Sequence, residues 1–555
     1  MNNGSNLHGD TSHRILVFSA TYNEAPNVVQ LLHDIWAVEP KADVLIVDDA
    51  SPDGTGDLLA KMALAECRLK VIHRPGKLGL GTAHHLAMLF AMRGGYEILV
   101  TMDADHSHDP KYIPRLVEKL SFADFVVGSR YMPGGSCDYR GYRRMISMAA
   151  NSVARLLLRL PLHEFTTSFR AFRVSRLSKV NFVKMHNQGY SFFMESVYRL
   201  HQAGLRVAEV PINFRDRYAG DSKIPRFEIF RGISKLIQLA GSQVLGRRMP
   251  VQSEPIGDTC VSCGSEFLSE IYPRQGGESG LTDPSSAFRC SSMTHTRKPR
   301  VAKCLQCGLA QVPTSEHPAD LENLYGDVVD QDYLQNLKAK IKTFSNAYAR
   351  LSPYLPSGGR LLEVGSYCGL FLLEARRHGW TATGIEPSRW AAEYAKNTTG
   401  LEVLHGSFER VGPTLKGPFD AVVSWDVLEH VRNPQRTLES ASRLLRPGGV
   451  LALSTLDIDS WFPRLMGRHW PWVMEMHLHY FSAAVLAKMF EAAGFEMVRI
   501  EPYRHYASLR YIYRKLCASL PSALSKSFLK PVGLMPDVVI PVALGDIKLY
   551  IGRKR

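Results

Sequence analysis

At 555 residues the chain exceeds one ordinary core, and 45% hydrophobic against 22% charged residues excludes a disordered or fibrous protein. No apolar run reaches the ~18 residues of a membrane span, and the opening "MNNGSNLHGDTSHR" holds no apolar signal core, so the expectation is a cytoplasmic protein. The net charge of +14 suits anionic ligands, phosphorylated lipids or a membrane surface; residues 501–555 alone carry ten Lys/Arg against three Asp/Glu.

Along the first 245 residues, "RILVFSATYNE", "ADVLIVDDASPDGTG", "RLKVIHR" and "EILVTMDADHSH" are short β-branched runs. Each is followed by a turn and then a helix-length amphipathic segment such as "APNVVQLLHDIWAVE". Strands alternating with helices predict an α/β fold around a largely parallel sheet, with ligands at the carboxyl ends of the strands. Tyr22, Glu24, Asp49, Asp103 and Asp105 then gather along one edge, where a nucleotide meets a divalent cation. In "VTMDADHSHDP" the carboxylates of Asp103, Asp105 and Asp109 repel one another unless a cation sits between them. Either this is a polar turn, or it is a site for Mg²⁺ or Mn²⁺ held by one or two carboxylates plus substrate phosphates.

The strings "TYNE", "VDDASPDGT", "KLGLGTA", "DADHSH", "GSRYMPGG", "RRMIS", "TTSFRAFR", "GYSFFME" and "DRYAGDSK" follow one another over residues 13–240. In this set and order the chain resembles family 2 glycosyltransferases of the GT-A fold, and among them the dolichol-phosphate mannose synthases and their bacterial polyprenyl-phosphate relatives. The resemblance implies that Ala20, Tyr22 and Glu24 line the nucleotide pocket and that Val47 and Asp49 grip the base. It implies Asp103 and Asp105 as the Mg²⁺ or Mn²⁺ ligands, with Asp105 in the catalytic set and Ala104 and Ser107 beside the donor diphosphate. Arg130, Arg143 and Ser147 are similar to an acceptor-phosphate cradle, with Arg130 also catalytic, and Arg217 and Lys223 to the cations of a closing loop. Mannose synthases use GDP-mannose, which is the donor implied.

The chemistry agrees on independent grounds. Negative charge grows on a departing nucleotide, so a bound dication and nearby cations stabilise the transition state more than the ground state. A hydroxyl acceptor needs a general base, whereas a phosphate monoester, with a second pKa of about 6, is already a dianion at neutral pH. Arginines suited to two-pronged phosphate binding therefore favour a phosphate acceptor. Four positions depart from the family pattern: Ala20 replaces proline, Glu164 aspartate, Thr167 glycine and Phe193 glutamine. Glu164 and Glu195 are either buried structural carboxylates or catalytic ones. The segment "RFEIFRGISKLIQLAGSQVLGRR" has apolar residues near helical spacing among cations, which suits either a peripheral membrane surface or packing on its own domain.

Four of the nine cysteines form two Cys-x-x-Cys pairs, "TCVSCGS" and "KCLQCGL", a pattern of metal binding in a reducing compartment. Cys260, Cys263, Cys304 and Cys307 then make a closed tetrahedral zinc site on two knuckles. Cys290 is a spare thiol. The Gly- and Ser-rich stretch between the pairs reads as a loop, and without a basic stripe interleaved with aromatics no nucleic-acid partner is expected.

From residue 360 a second strand–helix alternation begins with "GRLLEVGSYCGLFLLEARRHG" and continues through "WTATGIEPS", "FDAVVSWDVLEHV" and "LLRPGGVLALST". Gly365 and Gly369 let backbone approach a ligand, and Glu386 ends the next strand about twenty residues on, placed to accept from a ribose diol. Tyr367 stands where glycine is common. "LEVGSYCG", "GIEPS", "DVLEHVRNP" and "LLRPGG" together resemble class I S-adenosylmethionine-dependent methyltransferases over residues 358–500, and the cysteine knuckles resemble those preceding certain sugar C-methyltransferases. The resemblance implies Glu363, Gly365 and Gly369 around the methionine portion, Glu386 at the ribose, Ser407 and Phe408 beside the adenine, and Asp426 near the methyl group. Methyl transfer needs a nearby base, for which His430, His477 and His479 are the candidates, with Asp426 and His430 taken as catalytic.

The expected organisation is a flexible tail (1–12), a glycosyltransferase domain (13–245), a linker (246–256), a four-cysteine module (257–312), a helical connector (313–350), a Rossmann-like methyltransferase domain (351–500) and a basic C-terminal extension (501–555). The expected function is bifunctional: inverting transfer of a hexose to polyprenyl phosphate, and methylation of a glycan or lipid-linked sugar. The alternatives are a hydroxyl acceptor, or one catalytically silent module serving as a binding or regulatory domain.

Overall fold

The computed structural model describes residues 13–138, 141–180, 191–215, 234, 236–241, 257–276, 298–326, 328–518 and 538–555. Arg217, Lys223, Cys290, the tail 1–12 and the linker 246–256 lie outside them. The chain divides between Pro255 and Ile256 into two compact units. Among the described residues no helix is long and apolar enough to cross a membrane.

The first unit is built on strands β1 (Ile15–Thr21), β2 (Asp43–Asp48), β3 (Leu69–His73), β4 (Ile98–Thr101), β5 (Phe125–Ser129), β6 (Arg170–Arg173) and β7 (Val207–Pro211). Their order is β3-β2-β1-β4-β6-β5-β7, with β6 antiparallel to both neighbours. Runs such as Val44–Val47 are buried throughout because helices cover the parallel sheet. The helix Ala25–Val38 buries Val28, Leu31, Leu32 and Ile35, the i, i+3, i+4, i+7 stripe of an amphipathic helix. Parallel pairing sets Thr21 opposite Asp48 and Phe18 opposite Thr101. The chain therefore leaves β1, β2 and β4 along one edge, at the point where strand order reverses.

In the second unit, β8 (Leu268–Tyr272), β9 (Val301–Cys304) and β10 (Ala310–Gln311) form a small antiparallel sheet. A larger sheet contains β11 (Gly359–Val364), β12 (Trp380–Glu386), β13 (Glu402–His405), β14 (Phe419–Trp425) and β15 (Leu445–Leu456). After β16 (His479–Tyr480) and β17 (Phe495–Pro502) come β18 (His505–Ser508) and β19 (Val539–Val542), which pair with each other, and β20 (Ile547–Lys554). The large sheet runs β13-β12-β11-β14-β15-β20-β17, with β20 antiparallel between β15 and β17.

Three boundaries differ from those expected. β20 (Ile547–Lys554) is an interior strand of the large sheet, so this end of the expected extension belongs to that sheet. The cysteine-bearing sheet gains its fourth strand from β16, pairing Ala310 with Tyr480 and Gln311 with His479. The connector helix Leu337–Leu351 places Ala347, Tyr348 and Leu351 in the same core as Phe371 and Trp425. Antiparallel pairing across more than a hundred residues leaves no local trace in the chain.

Candidate active sites

In the first unit, the turns beyond β1, β2 and β4 each carry a left-handed residue that is not glycine: Asn23 (φ 57°), Ala50 (φ 55°) and His106 (φ 59°). Such conformations cost of order 1–3 kcal/mol and concentrate where a site is built. A hydrogen-bond lattice joins the first two. Asp48 accepts from Thr21 Oγ1 at 2.9 Å and from the Ser51 N–H at 3.0 Å, and Ser51 Oγ in turn accepts from the Asn23 N–H at 3.0 Å. Ala20 lies opposite buried Val47 in register. Lys77 Nζ stands 3.5 Å from the centre of the Tyr22 ring, and Glu24 accepts from Asn27 Nδ2 at 2.8 Å. Asp49 receives Arg74 Nε at 2.5 Å; burial raises its carboxyl, against the opposing pull of that guanidinium.

Beyond β4, Asp103 is partly open, and its Oδ1 accepts from Ser168 Oγ at 2.6 Å. Asp105 and Ala104 are buried, and Asp105 Oδ1 accepts from the Ser107 N–H at 3.1 Å and Oγ at 2.6 Å. His108 Nδ1 accepts from the Asp103 N–H at 3.1 Å, and burial keeps this imidazole below its usual range. Its Nε2 meets Thr167 Oγ1 at 3.2 Å, which gives the threonine found in place of glycine a partner.

Arg130 is already engaged: Nε donates to Glu164 Oε2 at 2.8 Å, and Nη2 donates to Glu164 Oε1 at 3.0 Å and Thr166 Oγ1 at 3.1 Å. Glu164 is fully buried; burial alone would raise its carboxyl, but Arg130 holds it below the usual range. Tyr131 donates to Ser147 Oγ at 2.7 Å, tying the "GSRYMPGG" loop to the helix Tyr142–Leu158. Arg143 belongs to that helix, with its side chain outside the described atoms. Phe193 is buried edge-on to His84, and buried Glu195 is paired with Arg199 at 2.6 Å.

In the second unit, a cavity of about 1290 Å³ opens at the carboxyl ends of β11, β12 and β14, and Glu363, Gly365, Glu386, Ser407, Phe408 and Asp426 all line it. Gly365 (φ 74°) admits no side chain, because a Cβ there would lie 2.4 Å from Val427 Cγ2. Gly369 caps the helix Leu370–Arg377. Glu386 accepts from the Tyr367 N–H at 2.7 Å and the Ser388 N–H at 2.8 Å, and burial pushes its carboxyl up to about 7. Glu363 is buried with Oε2 unpartnered among the described residues, and burial together with the Glu386 charge raises it well above the carboxylate range.

Left-handed backbone recurs here at Tyr367 (φ 45°) and Asp426 (φ 53°). Asp426 Oδ1 accepts from Ser454 Oγ at 2.6 Å, while Oδ2 lies 3.4 Å from His505 Nε2. Nothing local in the sequence singles out His505, which reaches the cavity only through the pairing of β18 with β19. Of the three candidate histidines, His430 and His477 line the cavity. His479 does not: it is fully buried, with Nε2 at 3.0 Å from the Val431 carbonyl, and burial drives its pKa down to about 3.

The four cysteine sulfurs lie within 4.8 Å of one another, with Cys263 and Cys304 3.6 Å apart. Tetrahedral Zn–S bonds of about 2.3 Å require sulfur separations of about 3.8 Å. The two knuckles match: the Gly264 N–H donates to the Cys260 carbonyl at 2.8 Å, and the Gly308 N–H to the Cys304 carbonyl at 3.0 Å. Buried Gln311 links them, accepting from the Val261 N–H and donating to the Thr259 carbonyl, each at 3.0 Å.

Residues 16–180 match the family described as glycosyl transferase family 2, and residues 334–500 the family described as a methyltransferase domain. The undecaprenyl-phosphate mannosyltransferase of Micrococcus luteus is 40% identical over 212 residues, 38% of this chain and 87% of that protein. The polyprenol monophosphomannose synthase of Mycolicibacterium smegmatis is 38% identical over 228 residues, 40% of this chain and 86% of that protein. Among solved structures, an S-adenosylmethionine-dependent methyltransferase of Thermotoga maritima, described as a possible histamine N-methyltransferase, is 23% identical over 39% of this chain and 90% of its own, with a TM-score of 0.28.

Proposed function

Because the chain belongs to glycosyl transferase family 2 and carries a methyltransferase domain behind it, we propose that it transfers mannose from GDP-mannose to a polyprenyl phosphate and methylates a glycan or lipid-linked sugar from S-adenosylmethionine. The observation that supports the first half is the edge beyond β1, β2 and β4, where three left-handed turns follow neighbouring strands and carry Tyr22, Asp49 and Asp103 at or near them.

Asp103 and Asp105 are the residues that would hold Mg²⁺ or Mn²⁺. Two carboxylates suffice when donor phosphates complete the shell, and the bound dication would withdraw charge from the leaving nucleotide. Asp49 and Arg74 fix the base side, and Lys77, stacked on Tyr22, supplies positive charge. A hydroxyl acceptor would need a base, yet Glu164 is buried and neutralised by Arg130, which supports a phosphate acceptor. Arg130 then acts from within its ion pair, and Ser147 lies beside it through Tyr131. The helix Tyr142–Leu158 exposes Met145, Ile146, Met148, Leu156 and Leu157 among Arg144 and Arg155. A basic, apolar face of this kind suits the anionic bilayer surface where a polyprenyl phosphate resides.

The second unit fits S-adenosylmethionine on its own observations: the orphaned Glu363 oxygen, the close backbone at Gly365, and Glu386 facing the cavity beside Ser407 and Phe408. When bound, S-adenosylmethionine supplies an electrophilic methyl group. Asp426, oriented by Ser454, and His505 form the pair that takes the acceptor's proton. Cys260, Cys263, Cys304 and Cys307 would hold zinc, which would stabilise the small sheet that β16 joins. The test is a screen of nucleotide sugars, with and without polyprenyl phosphate, read by mass spectrometry, with labelled S-adenosylmethionine added to any lipid-linked product. Transfer to hydroxyl acceptors without lipid phosphate would refute the first half, and absence of label in every sugar product the second.

A further inference from the structure

Glu429 and His430 lie in the turn after β14, and His477 lies just before β16. The Leu478 and His479 N–H groups both donate to the Glu429 carbonyl, at 2.8 and 3.1 Å, so the two segments are fastened together. One carboxylate oxygen of Glu429 and one ring nitrogen of each histidine lie within 4.8 Å of one another, and all three side chains line the 1290 Å³ cavity.

Each of the three has an anchor behind it. His430 Nδ1 lies 2.9 Å from the Met476 carbonyl oxygen, with the Tyr325 hydroxyl at 2.8 Å. His477 Nδ1 lies 2.7 Å from the Trp472 carbonyl oxygen. A carbonyl can only accept, so each Nδ1 carries the ring proton and each Nε2 keeps its lone pair. Glu429 Oε2 accepts from Thr455 Oγ1 at 2.8 Å. Imidazoles held through Nδ1 by carbonyl oxygens, beside a carboxylate held by a hydroxyl, are the outer support that metal ligands require.

We propose that Glu429, His430 and His477 bind a divalent transition-metal ion inside the methyltransferase cavity, separate from the ion of the four cysteines. Two imidazoles and one carboxylate favour an ion such as Zn²⁺, Fe²⁺ or Co²⁺ over Mg²⁺, and three protein ligands leave coordination positions open. Those positions face the cavity, so the ion would take an oxygen of the methyl acceptor and make its proton easier to remove. His430 is then a ligand, and proton transfer belongs to Asp426 and His505. The inference rests on the site geometry and does not depend on the identity of the acceptor.

The test uses the full chain with its cysteine site filled by zinc, dialysed against Co²⁺, with elemental analysis and visible absorption. The expected result is one further equivalent whose spectrum shows ligand-field bands without sulfur-to-cobalt charge transfer. His477→Ala and Glu429→Gln should abolish it while S-adenosylhomocysteine binding persists, and Thr455→Val should weaken it by about 10–100-fold. A wild-type chain with no cobalt beyond sulfur-ligated ion overturns the proposal, even if the variants fail to fold. So does a further equivalent that both His477→Ala and Glu429→Gln retain.

Discussion

Glu164 grips Arg130 with both carboxylate oxygens, at 2.8 and 3.0 Å, in a pocket where Glu164 is wholly shielded from solvent. Removing one member of a buried pair strands the other charge, at a cost of roughly 3–5 kcal/mol, whereas replacing both by apolar groups is often neutral. Glu164→Gln should therefore lower the thermal midpoint of the glycosyltransferase unit sharply. The double variant Glu164→Leu, Arg130→Met should recover most of the loss in stability while remaining inactive. Calorimetry on wild type, Glu164→Gln and the double variant decides it; equal midpoints for Glu164→Gln and wild type would contradict the pairing.

The proposed dication site makes a separate prediction. Asp103→Asn and Asp105→Asn should each remove the Mn²⁺-dependent part of GDP binding in titration calorimetry and lower turnover on the order of 10²–10³-fold. Asp105 also accepts from Ser107 and Asp103 from Ser168, each at 2.6 Å, so both variants should lose some stability as well, buried Asp105 more than partly open Asp103.

What was legible in the chain followed physical range. The β-branched runs, the acidic strand ends, Gly365 and the two Cys-x-x-Cys pairs are each specified within a few residues, and each stands where local pattern puts it. The pairing of Arg130 with Glu164 spans 34 residues and that of Asp426 with His505 spans 79, so it exists only once the sheets are assembled. The settings of His430 and His479 likewise depend on carbonyls more than forty residues away, at Met476 and Val431. Residues 501–555 read as an extension because their surplus of cations masked the apolar alternation of β20, whose partners lie at Val450–Leu456 and Phe495–Pro502.

Glu386 gives the methyltransferase unit a pH signature. Its carboxyl is raised from 4.5 to about 7 by burial. Between those values the folded chain holds a proton that the unfolded chain has released, so this contribution to stability is full below 4.5 and lost as pH rises through about 7. With Glu386 at the ribose, as proposed, ligand binding runs the other way, because the diol would donate to the ionised carboxylate. S-adenosylhomocysteine affinity should fall about tenfold per unit as pH drops below about 7 and level off above it. Titration calorimetry across that range checks the slope, and Glu386→Gln should bind weakly with the slope abolished.

The cysteine knuckles should stabilise more than themselves. Gln311 couples them to β10, and β10 pairs with β16, directly after His477. Cys263→Ser, or strong chelation, is expected to lower the thermal midpoint of the methyltransferase unit by several degrees, about 2–4 °C for each kcal/mol lost. It should also weaken S-adenosylhomocysteine binding. An unchanged midpoint after verified metal removal would show that the knuckles fold independently of the cavity wall.

The helix Tyr142–Leu158 carries the last prediction. It buries Asn151, Ala154 and Leu158 but leaves Met145 and Leu156 exposed to 72% and 76%. Exposed Arg144, Arg155 and Arg159 surround them, so an apolar ridge is edged by charge that anionic lipid would neutralise. Each large side chain removed from water contributes about 1.5–3 kcal/mol, and 1.4 kcal/mol is about tenfold in binding. Met145→Glu with Leu156→Glu should therefore cut partitioning onto phosphatidylglycerol vesicles by at least about tenfold in a sedimentation assay. Because neither side chain contributes to the nucleotide edge, turnover on a short-chain, water-soluble polyprenyl phosphate should stay near wild type while turnover on vesicle-embedded acceptor falls. Loss of both activities together would mean that the ridge is part of the fold and not a membrane face.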